Sequence, residues 1–377
     1  MVSFVSEWKE CQLGDLITFQ RGHDLPKTKM RSGEYPVVGS NGIIGYHNEY
    51  TTDAPSITIG RSGNVGKPFL YNGKSWSHNT TLYIKEYKNV EPIFIYYYLQ
   101  TLDLGNYAGG SAVPTLNRNH IHTLNVSVPV EIEEQRQIAS ILSSLDDKIK
   151  LNSTINENLE QQAQALLKEF MNRYNYSLAP LSEISEVIDC LHSKKPERVY
   201  DSNRQLLQLE NIKDNGFLDL SYQFMISESD YNNWTRKCEI HEGDCVITNV
   251  GRIGAVAQAP RDTNVAMGRN MTCIRLKPQY KIPAFLITVL LSEHMKREIR
   301  YNTDEGTIMG ALNVKNIPKL QFPFFEEKVM YELENILYVI RKQFEENSLQ
   351  NQRLAALRDT LLPKLMSGEI DVSQVKI

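Results

Sequence analysis

The sequence is poor in the features that mark membrane, secreted or catalytic proteins. No run of about 18 apolar residues occurs in its 377 residues, so no membrane-spanning helix is expected. The opening MVSFVSEWKE has no basic stretch followed by a long apolar one, and a secretory leader is not expected. Cysteine is scarce: Cys11, Cys190, Cys238, Cys245 and Cys273 form no CxxC pair and are odd in number, which points to free thiols in a reducing cytoplasm. Positive charge is not in excess either. A net charge of −4 argues against a lone chain gripping DNA through bulk charge. There is no GxxxxGK[ST] phosphate loop, no GxSxG elbow, and no proline-proline-aromatic run after Asn or Asp of the kind adenine methyltransferases use. GRSGNVG has glycines at 60, 63 and 66, but it lies inside a β-rich run and reads as a tight turn. His120 and His122 form HxH without an evident Cys or carboxylate partner, so they read as solvated or capping histidines. Carboxylates are scattered, and no metal site is expected.

What the chain does have is a duplication. ITIGRSGNVGKPFLY (57–71) is echoed by VITNVGRIGAVAQAP (246–260), SHNTTLYIK (77–85) by GRNMTCIRLK (268–277), and PIFIYYYLQT (92–101) by PAFLITVLLS (283–292). GGSAVPTLNRNHIHTLNVSVP (109–129) is echoed by GTIMGALNVKNIPKLQFPF (306–324). A spacing near 190 residues is too long for a solenoid and indicates a duplicated domain. Each copy mixes short β-rich runs with Gly, Pro and Asn punctuation. ITIG, TLYIK, DCVITNV and TCIRLK read as strands. PIFIYYYLQT and PAFLITVLLSEHMKREI read as helices that begin at a proline.

A long amphipathic helix follows each copy. The first places Ile138, Leu142, Leu145, Ile149, Asn152, Asn156, Leu159, Ala163, Leu166 and Phe170 on one stripe. The second places Leu333, Leu337, Ile340, Phe344, Asn347, Asn351, Leu354, Leu357, Leu361 and Leu365 there. Steps of three and four sustained over several heptads argue for a coiled coil. Acidic starts suit the positive end of each helix dipole, and Pro129 and Pro323 precede them. Domain termini tend to lie close together, so the second copy returns the chain near where it left, and the pair is expected to run antiparallel. Asn152 then meets Asn351 and Asn156 meets Asn347, a central polar layer that pairs in one register only. The plain alternative is a wet helix face that specifies nothing. A helix of about 40 residues is roughly 60 Å long and could hold two related domains apart about an approximate two-fold axis. The expected fold is therefore α+β: two homologous β-rich mixed domains at 1–130 and 177–325, separated by a long antiparallel helical coiled coil from 131–176 and 326–377, with pseudo-two-fold symmetry.

Charge is distributed unevenly: +1 over 1–130, −3 over 131–173, zero over 174–324 and −2 over 325–377. The acidity sits in the helices, so the β-rich parts can still present basic faces. Basic and hydrogen-bonding residues cluster in their loops. The first copy offers Lys27, Lys29, Arg31, Arg61, Asn64, Lys67, Lys74, His78 and Arg118. The second offers Lys194, Lys195, Arg198, Arg204, Arg236, Lys237, Arg252, Arg269 and Asn270. Arg can read guanine bidentately, Asn can read adenine, and Lys mostly holds phosphates. Taken singly, each is ordinarily a solvated surface group. The repeated GR turn at Arg61 and Arg252 stands out, because glycine allows close backbone approach to a ligand.

LRDTLLPKLMSGEI (357–370) resembles the closing signature of DNA-specificity subunits of type I restriction–modification systems. SVPVEIEEQRQIASILSSLDDKI (127–149) resembles the helix start that follows each of their target recognition domains. The resemblance implies a cytoplasmic, non-catalytic reader of double-stranded DNA. Each recognition domain would take one half of a bipartite asymmetric site, and the helices would set the spacer. It also implies two methyltransferase subunits that bring S-adenosylmethionine, optional restriction (translocase/nuclease) subunits that use ATP and Mg, and no cofactor in this chain. Two other classes remain open on sequence alone: a nuclease with a diffuse metal site, and a protein-binding scaffold that uses the duplication for symmetry.

Overall fold

The computed structural model describes residues 7–110, 114–304 and 310–372. Residues 1–6 of the opening segment lie outside that description, as do 111–113 and 305–309 within the last of the sequence echoes. The chain forms two compact units. The first comprises 1–149 and 353–377, the second 150–352. Each unit therefore contains one β-rich region and part of each of two long helices, Ile132–Arg173 and Glu327–Met366.

In the first unit, a four-stranded antiparallel sheet has the order Ile17–Arg21, Thr81–Tyr87, Ser56–Gly60, Pro68–Tyr71. All five residues of Ser56–Gly60 are buried, as an inner strand requires. Trp8–Gln12 pairs with Asn125–Pro129. Tyr35–Gly39 and Gly42–His47 form a hairpin on which Trp76–Ser77 adds in parallel. Helix Pro92–Gln100 begins at its proline, and the Glu91 carboxylate accepts from Phe94 N at 2.5 Å. Ile17, Phe19, Ile57, Ile59, Phe94 and Ile95 make a core with Ile138, Ala139 and Leu142 of the first long helix and Leu365 and Met366 of the second.

The second unit repeats this plan. Its sheet has the order Ser185–Asp189, Met271–Leu276, Cys245–Thr248, Val256–Gln258, again antiparallel, and Tyr176–Pro180 pairs with Gln321–Phe325. The core joins Ile247, Ile274, Phe285 and Phe322 to Ala163, Leu167 and Phe170 of the first helix and Met330, Leu333 and Leu337 of the second. The copies diverge between their first two sheet strands. Where the first copy has the 35–47 hairpin, the second has helix Glu228–Trp234 over a separate core of Leu206, Ile226, Tyr231, Trp234 and Ala266.

Three sequence expectations are corrected. PAFLITVLLSEHMKREI is two helices, Pro283–Leu291 and Glu293–Tyr301. Ser292 breaks it: its backbone is extended (φ −69, ψ 157), and its hydroxyl caps the second helix by accepting from Met295 N. In the first long helix Leu167 is fully buried, and Leu166 only packs against the core edge. In the second, Leu357 lies off the seam, 47% exposed. Arg358 takes that turn of the helix inward, donating to Asp146 at 2.6 Å, and Asp146 also accepts from Tyr97 Oη at 2.6 Å.

Asn152, Asn156 and Asn347 are buried, Asn351 is half-buried, and the four pair across the helices. Asn347 Nδ2 donates to Asn156 Oδ1 at 2.9 Å, and Asn156 Nδ2 donates to Phe344 O and Ser348 Oγ at 3.0 and 2.9 Å. Asn152 Nδ2 donates to Asn351 Oδ1 at 2.9 Å and Gln350 Oε1 at 2.7 Å, while its own Oδ1 is buried without a partner. Position 152 opposite 351 and 156 opposite 347 makes the two helix segments of this unit antiparallel. Asn156→Leu alone would strand the Asn347 amide donor, while the Ser348 hydroxyl keeps its bond to Phe344 O, and should cost about 1–3 kcal/mol. Asn156→Leu with Asn347→Leu should cost less than the sum of the singles, by on the order of 1 kcal/mol. Urea denaturation of the four members of the cycle measures that difference, and additive effects would show that the amides do not act as a pair.

Helix Pro283–Leu291 has no side-chain cap from its own N-cap residue. Glu334 of the second long helix supplies one, accepting from Ala284 N at 3.2 Å and Phe285 N at 2.7 Å. Burial pushes the Glu334 carboxyl up to about 7 against the opposing effect of those two amides. Because the folded value lies above the ordinary 4.5, this group favours folding most at low pH and loses that contribution as pH rises from about 4.5 to about 7. Glu334→Gln keeps an acceptor for Phe285 N and should flatten this part of the stability–pH profile. Equal slopes in wild type and variant, read as urea midpoints from pH 5 to 8, would contradict the assignment.

Candidate nucleic-acid interface

Two sequences of like pattern, LNRNHI (116–121) and LNVKNI (312–317), make the same local structure. Leu116 and Leu312 are buried anchors, each 1% exposed. The next residue, Asn117 or Asn313, caps a short helix by accepting from the amide two residues on, at 3.0 Å in both copies. Leu116 N donates to Arg61 O at 2.8 Å, and Leu312 N donates to Asn249 O at 3.0 Å. Arg61 N donates to Thr80 O, and Asn249 N to Asn270 O, at 2.8 Å each. Those bonds make Arg61 equivalent to Asn249. The GR turns at Arg61 and Arg252 are therefore three positions out of register, and Arg252 falls opposite Asn64. The turn geometry itself is shared. Gly66 and Gly254 hold φ +78 and +74, and a Cβ on Gly66 would lie 2.3 Å from Gly105 N.

In the first unit this scaffold builds a cleft of about 880 Å3. Its walls carry Arg21, Arg61, Arg118, Gln20, Asn117 and Asn119, with Gly109 leaving it open. Among the described residues none of the three guanidinium groups has a side-chain hydrogen bond or ion pair. Burial, and then the charge of Arg21, lower the Arg61 guanidinium from its ordinary value. Unpaired arginines gathered on one cleft with side-chain amides present hydrogen-bond donors of the kind that take phosphates or base edges. Nearby His122 is structural: its Nε2 accepts from Phe19 N at 3.0 Å, its ring stacks on Phe19 at 6.0 Å, and burial followed by Lys88 and Arg118 keeps its pKa low. His120 is exposed on the cleft wall.

The cleft gathers only Arg61 and Arg118 from the first copy's sequence candidates. Lys27 and Lys29 sit in a 3-10 turn with Arg31 just beyond, all exposed, ahead of the hairpin. Asn64 and Lys67 are exposed on the glycine turn, with Lys67 Nζ 5.7 Å from the Phe69 ring. Lys74 covers the Tyr50 ring at 3.9 Å, donates to its hydroxyl at 2.7 Å and pairs with Asp53 at 3.5 Å. His78 Nδ1 is 3.2 Å from Thr80 Oγ1. Arg21, Gln20, Asn117 and Asn119 escaped the sequence reading. Arg21 is an isolated charge at a strand end, and only the pairing of Ile17–Arg21 with Thr81–Tyr87 brings it beside Arg61.

In the second unit most of the candidates are engaged internally. Arg252 bonds Asp214 and Ile212 O, and Arg204 forks onto Glu228 at 2.7 and 3.1 Å. Arg198 donates to Gln223 O at 2.6 Å, and Lys195 lies 4.3 Å from the Phe224 ring. Arg236 donates to Asn233 O and Lys237 to Cys190 O, each at 3.3 Å. Lys194, Arg269 and Asn270 are exposed, and Asn270 holds φ +62. The equivalents of the first cleft's arginines are not basic. Strand register sets Arg21 opposite Leu82 and Asp189 opposite Thr272, so Asp189 replaces Arg21. Asn249 replaces Arg61, and Val314 replaces Arg118. Asn249 is buried and satisfied by Leu312 O and Thr272 Oγ1.

A family profile described as the type I restriction modification DNA specificity domain matches residues 5–161. The HindI type I restriction enzyme specificity subunit of Haemophilus influenzae is 21% identical over 68% of this chain and 71% of its own length. The MjaVIII specificity subunit of Methanocaldococcus jannaschii is 22% identical over 98% of this chain and 94% of its own. Among solved structures, the type I restriction–modification S subunit from M. genitalium is 16% identical, covers 97% of each chain and has a TM-score of 0.64, which is a likeness of fold.

Proposed function

We propose that this chain is a specificity subunit of a type I restriction–modification system and the non-catalytic DNA reader of such a complex. Its two β-rich regions each read one half of a bipartite, asymmetric double-stranded site. The helix pair sets the unread spacer and docks two methyltransferase subunits. Chemistry belongs to the partners: S-adenosylmethionine in the methyltransferase subunits, and ATP with Mg in restriction subunits where a host has them. The assembly works in the cytoplasm, where its DNA is.

One observation carries the asymmetric part of this reading. The same backbone appears twice, yet Arg21, Arg61 and Arg118 in one copy correspond to Asp189, Asn249 and Val314 in the other. Asn249 is buried, so the second copy lacks the unpaired basic cleft of the first, and surfaces that differ in this way select different bases and hold the phosphates differently. The acidic helices and net charge of −4 fit a subunit whose partners supply much of the charge around the DNA.

Two outcomes follow for the assembled complex. Arg61→Ala with Arg118→Ala should weaken binding and lower the slope of log affinity against log salt by roughly 1 for each phosphate contact removed. Any loss of base discrimination should fall in one half-site. Titrations at several salt concentrations against sites mutated in either half measure both, and affinity unchanged at every salt would remove the cleft from the interface. Exchanging 177–325 for the same region of a relative should alter one half-site and leave the other intact. Alteration of both halves would defeat the two-reader arrangement.

A further inference from the structure

The end of strand Ser185–Asp189 carries a side-chain set of metal-ligating chemistry. Asp189, Cys190 and His192 bring a carboxylate, a thiol and an imidazole within 4.8 Å of one another. Asp189 Oδ2 lies 2.7 Å from His192 Nε2, which alone would be an ordinary ion pair. Two further features are left over by that account. Asp189 Oδ1 is buried and lacks any hydrogen-bond partner, which is costly for a carboxylate. The Cys190 sulfur joins the same cluster; burial pushes its thiol up, the backbone amides of Met271 and Asn270 oppose that, and the neighbouring Asp189 carboxylate adds to it, so the bare site holds the thiol protonated. The equivalent stretch of the first copy, Arg21–Gly22–His23–Asp24, has no thiol and begins with a cation.

We propose that Asp189, Cys190 and His192 form a zinc site. Sulfur, imidazole nitrogen and carboxylate oxygen are the donors Zn2+ prefers, and a thiolate disfavours Mg2+ and Ca2+. Three protein ligands leave a fourth position for water. The His192 and Asp189 side chains are 68% and 30% exposed, so that position faces solvent. Binding displaces the thiol proton to solvent as the S–Zn bond forms, and the ion supplies the partner that Asp189 Oδ1 lacks. The ion pins the start of the loop that carries Lys194, Lys195 and Arg198. It is a structural clamp within the second unit and stands independently of which bases that unit reads.

The test uses the full chain, stripped with a chelator and titrated with zinc alone against a competing chromophoric chelator, then with cobalt under reducing conditions. About one equivalent of zinc should bind with measurable competition. Cobalt should give a near-ultraviolet thiolate charge-transfer band. Cys190→Ser is nearly isosteric and should abolish that band, and His192→Ala should lose at least about tenfold in zinc affinity. Cys238→Ser should change neither, and circular dichroism checks that each variant is folded. Absence of zinc binding, equal binding by the Cys190→Ser and His192→Ala chains, or a charge-transfer band that survives Cys190→Ser would overturn the assignment.

Discussion

The amide layer between the two long helices is the constraint on which the second unit depends. A seam of leucines alone tolerates a slip of one heptad, because Leu on Leu packs acceptably in either position. A buried asparagine does not, since every wrong register leaves its donors or acceptor unpaired. Asn156 and Asn347 bond each other directly, and Asn156 also bonds Phe344 O and Ser348 Oγ, so sliding the helices breaks several bonds together. Register then fixes which apolar residues reach the core: Ala163, Leu167 and Phe170 from one helix, Met330, Leu333 and Leu337 from the other. In the first unit a charged set has a corresponding place. Arg358 bridges to Asp146, which also holds Tyr97 of the β-rich region.

On those helix segments each unit carries the same backbone and a different surface. The inner sheet, the glycine turn and the capped short helix recur down to individual hydrogen bonds. Burial holds these parts constant, because each inner strand residue has a neighbour that a substitution would displace. The wall of the first copy's cleft has no such restraint. Arg21, Arg61 and Arg118 line it in one copy, and the corresponding side chains in the other are Asp189, Asn249 and Val314. A duplicated scaffold thus presents two unlike chemical faces, as a reader of an asymmetric site needs.

The repeat, the main strands, both long helices and the four asparagines were legible in the sequence, because period and burial dominate there. Other features were not. A serine hydroxyl that caps the following helix divides what reads as one helix at Ser292, and periodicity carries no sign of it. Leu357 follows the apolar spacing, yet it points outward, because the Arg358–Asp146 bond favours a neighbouring rotation of that turn. The two GR turns look equivalent as text, and only their backbone hydrogen bonds reveal the three-residue slip. The cleft was half visible: Arg61 and Arg118 lie in recognisable loops, whereas Arg21 reaches them through strand pairing. Of the second copy's basic residues, Arg204 and Arg252 pair at the surface with Glu228 and Asp214, and no count of charges along the chain separates such groups from free ones.

The central claim is that two unlike faces on one repeated scaffold read two unlike half-sites. Mapping modified adenines in DNA exposed to the reconstituted methyltransferase complex tests it most directly. The account predicts a site of two different short sequences separated by a fixed stretch of unread base pairs. A continuous recognition sequence, or a palindrome with identical halves, would contradict it.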